Sequence, residues 1–192
     1  MTIFFFFFFF FSTLVTANIE TNIPSFSETL TPETLGLHRN HPKERLSHFH
    51  FYVHDSVNGK SPTAVRVAEA ATTRKSRTSF GQVSVCDDPM TVLPDRASKQ
   101  VGRVQGIYVS ASHSEFGLMM AITFAFTEGQ YNGSALSILG RNPVPEKLRE
   151  MPVVGGSGLF RFARGYAQTS TYTFNTTSLD IIVEYNVYVF HY

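Results

Sequence analysis

The 192-residue sequence contains one cysteine, no tryptophan and few charges: Asp, Glu, Lys and Arg make up 16% of it, with a formal net charge of +1. One cysteine excludes an internal disulfide, so a domain built from this chain must rest on its apolar core or on association with other copies. The balanced charge excludes a disordered polyelectrolyte and leaves no basic footprint for gripping nucleic acid. No apolar run reaches the roughly 18 residues of a membrane-spanning helix, so no membrane partner is expected. Heptads are absent, which excludes a coiled coil. Nucleophile elbow, phosphate loop, Cys/His cluster and Ser/His/Asp spacing are all missing, which argues against an ordinary hydrolase or nucleotide enzyme. No helical apolar period lasts for a dozen residues; only residues 146–150 offer a single turn.

What is present is apolar and aromatic: hydrophobic residues make up 43% and Phe alone counts 19, eight of them in the run 4–11. Residues 3–15 are apolar apart from Ser12 and Thr13, and the segment ends in Val15-Thr16-Ala17, with small residues where signal peptidase reads. Residues 1–17 are therefore read as a cleaved signal peptide, with no Lys or Arg ahead of the apolar stretch. Secretion is expected, and the sequons Asn132-Gly133-Ser134 and Asn175-Thr176-Thr177 fit it as glycosylation sites. Residues 18–46 are polar and aperiodic and read as a flexible leader, in which Thr31 could cap a short turn opened by Pro32. Residues 47–192 form one domain.

That domain reads as short strands over 47–54, 63–68, 80–86, 101–112, 116–127, 134–139, 158–169 and 181–190, rich in Val, Ile, Phe, Tyr and Thr. Between them lie turn sequences, including 55–60, Asp87-Asp88-Pro89, 128–133 and Gly155-Gly156. Eight regularly spaced strands predict an all-β fold, an antiparallel barrel or sandwich, and an eight-stranded barrel can hold a small ligand at its mouth. Along 111–127, Phe116, Leu118, Met120, Ile122, Phe124 and Phe126 share one face, while Met119, Ala121 and Ala125 keep the other apolar. A strand apolar on both faces implies a cover on both, from another subunit or an overlying segment. Cys86 ends an alternating apolar run and is expected to be buried.

His48, His50 and His54 share one parity of the first strand, a pattern that could present metal ligands if His191 joined them; otherwise they face solvent or an interface. On the opposite parity Phe49, Phe51 and Val53 point to the core, and Asp55 continues that face. A carboxyl at the rim of an apolar barrel has a raised pKa and can act as acid, base or acceptor; the competing reading is a turn cap before Asn58-Gly59. Arg149 falls in a Pro-bounded loop, 142–152, which also places Asn142 on an exposed loop. Arg161 and Arg164 stand among Phe160, Phe162 and Tyr166, an arrangement that either stacks structurally or binds an oxygenated aromatic ligand.

Several blocks carry a resemblance. They are residues 48–55 (HFHFYVHD), 97–108 (ASKQVGRVQGIY), 126–134 (FTEGQYNGS), 139–143 (LGRNP), 149–158 (REMPVVGGSG) and 184–188 (EYNVY). In this order, over about 46–192, the sequence resembles the plant dirigent family. The resemblance implies an eight-stranded antiparallel β-barrel, secreted to the apoplast, glycosylated, and assembled as a homodimer or homotrimer. It implies binding of phenoxy radicals made by a separate laccase or peroxidase, with no cofactor and no metal of its own. Two coniferyl alcohol radicals would then be held so that they couple stereoselectively to an optically active lignan. By the same resemblance Asp55 and Arg149 are the catalytic residues, and Tyr108 and Asn142 contact substrate. Where pinoresinol-forming members carry a second acid, this chain has Arg141-Asn142-Pro143, and an Asn cannot deliver a proton. The Arg-Asn-Pro version resembles a branch with relatives that close rings on isoflavonoid quinone methides. The alternative is therefore a cyclase or dehydratase on the same barrel, and a third possibility is a cell-wall module that binds without enantioselectivity.

Overall fold

A computed structural model of the chain describes Ser27, Leu30, Thr31, Thr34 and residues 44–192. The expected signal peptide and most of the expected leader lie outside the described residues. The chain divides into Met1–His41 and Pro42–Tyr192. In the first unit the Thr34 N–H donates to the Thr31 carbonyl at 3.0 Å, a single-turn closure, and the two threonine hydroxyls lie 3.1 Å apart.

The second unit is one antiparallel sheet of nine strands: β1 (Arg45–Asp55), β2 (Ala64–Ala68), β3 (Val83–Thr91), β4 (Gln100–Ser110), β5 (Gly117–Phe126), β6 (Ala135–Pro143), β7 (Arg149–Ser157), β8 (Arg164–Phe174) and β9 (Ile181–His191). Neighbours run β1-β9-β8-β7-β6-β5-β4-β3, and β1 returns to β3 through Tyr52↔Thr91 and Val53↔Met90. Eight strands thus close a barrel. The ninth, β2, covers the remaining edge of β3 from Ala64↔Cys86 to Ala68↔Val83.

Four readings of the sequence need correction. Asp87-Asp88-Pro89 is no turn; it continues β3, paired to Gln105, Val104 and Arg103 of β4. The 142–152 loop is really the end of β6 and the start of β7, joined by a tight turn, and the single helical turn expected at 146–150 does not form. Pro152 hid β7, because proline cannot donate to a ladder. Here the β6–β7 pairing stops at Ile138↔Val153, so the missing N–H falls where no partner waits. The expected strand 158–169 starts late: Gly158–Phe160 is a 3-10 turn, and only from Arg164 does β8 pair with β9.

Alternation sets the two faces. On β5, Met120, Ile122, Phe124 and Phe126 are buried inside the barrel. Outside, Val65, Val85, Ile107, Ala121 and Leu139 stand opposite one another across β2 to β6. The Val, Ile and Leu members of this row are each more than a third exposed. At one end, Phe49, Phe126, Tyr131 and Phe160 pack with ring centroids 4.9–6.2 Å apart and shut the barrel. One layer further in, Phe51 and Phe124 meet edge to face against Tyr185. Fully burying each such side chain contributes on the order of 1.5–3 kcal/mol.

Candidate functional site

Beyond the Phe51–Phe124–Tyr185 layer the interior is not filled. Smaller side chains (Val53, Val104, Met120, Ile122, Val183) line the wall, and a cavity of about 580 Å³ opens toward the end of the barrel where β1 finishes and β7 begins. Gly106 (φ 152°) lets β4 approach β5 beside it: a Cβ there would stand 2.3 Å from the Ala121 carbonyl oxygen. Tyr108 follows two residues on and faces the cavity.

Asp55, Tyr108, Asn142 and Arg149, from β1, β4, β6 and β7, all line this one cavity. Burial pushes the Asp55 carboxyl up to about 6, Tyr108 draws it partly back by hydrogen bonding, and the charge of Asp180 adds to the rise. Its Oδ1 is buried without a partner. Tyr108 is held well above its ordinary value, first by burial and then by the Asp55 charge, so its hydroxyl keeps its proton.

Arg149 and Asn142 stand elsewhere than the sequence suggested. Arg149 opens β7 and is 3% exposed. One Nη donates to the Val144 carbonyl at 3.0 Å and to Thr171 Oγ1 at 2.9 Å, while Nε has no partner. Among the described residues no carboxylate pairs with it, and burial lowers its pKa. A buried cation without an anion is costly unless something else meets it, which makes it a docking point for an electron-rich oxygen. Asn142 sits on β6 opposite Leu118, 8% exposed, with its Oδ1 unpartnered.

The structure adds Asp88, which the turn reading had set aside. Ser84, Cys86, Asp88 and Met90 are all buried on the inner face of β3, so continuing the two-residue period would have found it. Burial and the neighbouring Asp55 push Asp88 up to about 8, while Thr63 and Arg103 pull against them. Burial also pushes the Cys86 thiol up to about 12.

The histidines do not converge. His48 meets Asn186 at 2.9 Å and stacks on Tyr188, and His50 meets Glu184 at 2.7 Å. His54 is buried against Thr91 at 2.7 Å, not in solvent, and His191 bonds Ser47 at 2.8 Å. Among the described residues no group of three or more His, Cys, Asp or Glu is placed to hold a metal. Arg164 pairs with Glu44 and lies 5.1 Å over the Phe190 ring, a structural role. Phe160 belongs to the plug. Asn132 and Asn175 are both exposed, and Asn175 Oδ1 accepts the Thr177 and Ser178 N–H groups.

Fold and site together define a class: a closed antiparallel barrel, plugged by aromatics at one end, that keeps an apolar cavity with buried carboxyls and one buried guanidinium at the other. The chain belongs to the dirigent-like protein family, whose family model matches residues 46–190. It is 48% identical over 178 residues to dirigent protein 21 of Arabidopsis thaliana, covering 93% of this chain and 92% of that one. It is 49% identical to pterocarpan synthase 1 of Glycyrrhiza echinata over 88% of each chain. Two solved pterocarpan synthase dirigent proteins superpose with TM-scores of 0.72 and 0.73 at 52% and 50% identity. They cover 79% and 78% of this chain, and 87% and 98% of their own.

Proposed function

We propose that the cavity binds a closed-shell phenolic compound and promotes its dehydration and ring closure through a quinone methide. The observation that carries this reading is Asp55, a carboxyl raised to about 6 by burial and so able to carry a proton in mildly acidic solution. It stands beside the Tyr108 hydroxyl in an apolar cavity that also holds Arg149, which has no carboxylate partner among the described residues. In the first step Asp55 gives its proton to a benzylic hydroxyl, the carbon–oxygen bond breaks, and water leaves. The conjugated phenol loses its proton to solvent, and Arg149 stabilises the negative charge growing on that oxygen. A second phenolic hydroxyl of the same molecule then adds to the methide carbon. It loses a proton while the quinone-methide oxygen takes one up, and solvent reprotonates Asp55. The sum is one ring closed, one water lost and no oxidant consumed. Half-identity to proteins named pterocarpan synthase over nearly nine-tenths of both chains supports this reading. The test is incubation of purified protein with hydroxylated isoflavan-type substrates without oxidant, followed by chiral chromatography. Turnover across none of them would sink it.

A second reading is stereoselective coupling of two coniferyl alcohol radicals supplied by a separate laccase or peroxidase. The cavity volume favours it, since about 580 Å³ falls within the range of sites for drug-sized ligands and leaves room for two single-ring phenols. An enantiomeric excess of lignan that needs both protein and a mild one-electron oxidant would establish it. Secretion to the apoplast and glycosylation at Asn132 and Asn175 belong to the same proposal, as does assembly into a homodimer or homotrimer. The exposed Val65–Val85–Ile107–Leu139 row is the surface another copy would cover. Ile107→Lys should then yield monomer in sedimentation if wild-type protein sediments as an oligomer.

A further inference from the structure

We infer that Asp88 and Asp55 form a carboxyl pair that shares one proton, Asp88 supplying the second carboxyl that Asn142 cannot. The inference deepens the reading of the cavity as an acid site and rests on it for its catalytic meaning. Four observations place the pair. The β1–β3 register is Tyr52↔Thr91 and Val53↔Met90, and extending it by two residues sets Asp55 across from Asp88. Both side chains line the same cavity. Each has a buried Oδ1 with no hydrogen-bond partner. The ladder between the strands is open at that point: the Asp87 N–H goes to the Thr63 carbonyl at 2.8 Å, and Pro89 has no N–H to give.

Among the described residues no cation is free to neutralise two charges here. The groups acting on the pair are Cys86 and Asp87 on β3, Tyr108 and Arg103 on β4, Asp180 ahead of β9, Tyr185 on β9, and Arg149, which acts on Tyr185. Arg103 is held by Asp87 at 2.5 Å, and Arg149 by Val144 and Thr171. Asp180, a further negative charge, accepts a bond from the Ser56 hydroxyl. Two carboxylates facing each other among apolar walls cannot both ionise cheaply, so the second proton is retained. The same logic separates acid from base in carboxyl dyads that work near neutral pH. For the site, the consequence is that Asp88 still holds a proton at neutral pH, while Asp55 carries a deliverable one in mildly acidic solution.

The test is a titration that needs no substrate. In the full-length chain carrying ¹³C-labelled aspartate carboxyls, NMR between pH 4 and 9 should show these two residues titrating in separate steps, both above the ordinary aspartate range. In Asp55→Asn the Asp88 midpoint should fall by about one pH unit or more, because the Asp55 charge that holds it up is gone. Asp55→Ala reads the same coupling if Asp55→Asn fails to fold, and in Asp88→Asn the Asp55 midpoint should not fall, because Asp55 ionises while Asp88 is still neutral. An Asp88 midpoint that stays put in a folded Asp55 variant overturns the pair. Coupled midpoints without turnover of any phenolic would overturn the proposed function and leave the pair standing. Turnover with uncoupled midpoints would do the reverse.

Discussion

Phe49 and Asp55 point into the same barrel from the same face of β1, yet one end of that strand is packed solid and the other is hollow. At the closed end the filling is aromatic rings backed by buried aliphatic side chains, and Phe160, Phe126 and Tyr131 meet Phe49 within 5.6 Å. At the open end the inward positions carry Val, Met and Ile, with polar groups whose buried atoms lack partners. An eight-stranded barrel has an interior just wide enough for side chains to fill, so the size of those side chains decides whether a cavity exists. The plug therefore contributes the stability, and the cavity end spends part of it on carboxyls and a guanidinium held away from water.

The comparison is tested most severely by Phe160→Ala. Phe160 is fully buried and touches Phe49, Phe126, Tyr131 and His191. Its truncation should cost about 4 kcal/mol, the usual range for a large aromatic leaving a hole in a tight core. Urea unfolding should show this as a lower midpoint with unchanged slope, and a loss below about 1 kcal/mol would refute the division of labour between the two ends.

The next effect belongs to the cavity end alone. Burial raises the folded pKa values of Asp55 and Asp88 above the ordinary aspartate range, to about 6 and about 8. The folded state therefore binds more protons than the unfolded one in that window, and stability must fall as pH rises. From pH 5 to pH 8 these two groups should account for a loss on the order of 5 kcal/mol, most of it from Asp88, at roughly 1.4 kcal/mol per pKa unit. The window excludes most of the opposing contribution of surface carboxylates such as Glu184 and Asp87, whose lowered values act below it. His54, kept neutral by burial, acts with the opposite sign near 6.5 and trims the slope. Stability that rose steadily from pH 5 to 8 would show that the carboxyls are not buried as described. In Asp88→Asn the slope should flatten.

What the sequence disclosed follows the same division. Strict alternation made the Phe49–Phe51–Val53–Asp55 face readable, and the two apolar faces of β5 were readable for the same reason. Asp55, Tyr108, Asn142 and Arg149 were named by resemblance before anything placed them around one cavity. The missing parts were those in which local signals contradicted tertiary ones. Pro152 and the glycines after it read as a turn because a proline's missing N–H normally ends pairing, and only the register shift at Ile138 shows why it is harmless. Asp87-Asp88-Pro89 has turn composition, and the strand it belongs to is fixed by partners on β4 that are distant in sequence. The plug could not be read either, because Phe160 reaches it from a 3-10 turn with no period.

Asn142→Asp probes the boundary between the two ends. An exposed loop position would tolerate it within about 1 kcal/mol, but Asn142 is a buried strand residue facing a cavity that already holds two carboxyls. Its charge would be buried in a cavity that already holds two carboxyls and one guanidinium, itself bonded to Val144 and Thr171, so the substitution should cost about 2 kcal/mol at pH 8 and less at pH 5, where the new carboxyl is protonated. Equal costs at both pH values would show that the side chain turns outward. A gain in pinoresinol yield from coniferyl alcohol and oxidant would place Asn142 where the second acid of pinoresinol-forming relatives stands.

Arg141→Gln should do almost nothing, and that sharpens the comparison more than its size suggests. Arg141 is the residue before Asn142 on β6, but alternation turns it outward, where it pairs with Glu115 at 2.5 Å with more than two-fifths of both side chains exposed. An exposed pair gains little over hydration and loses side-chain freedom on forming, so the change should stay within about 0.5 kcal/mol at any pH between 5 and 8. Because neither partner faces the cavity, turnover should be unaffected. If Arg141→Gln instead altered turnover or the pH profile, the outer surface of β6 would be coupled to the cavity. The hollow end of the barrel could then no longer be treated as a site isolated by its own wall.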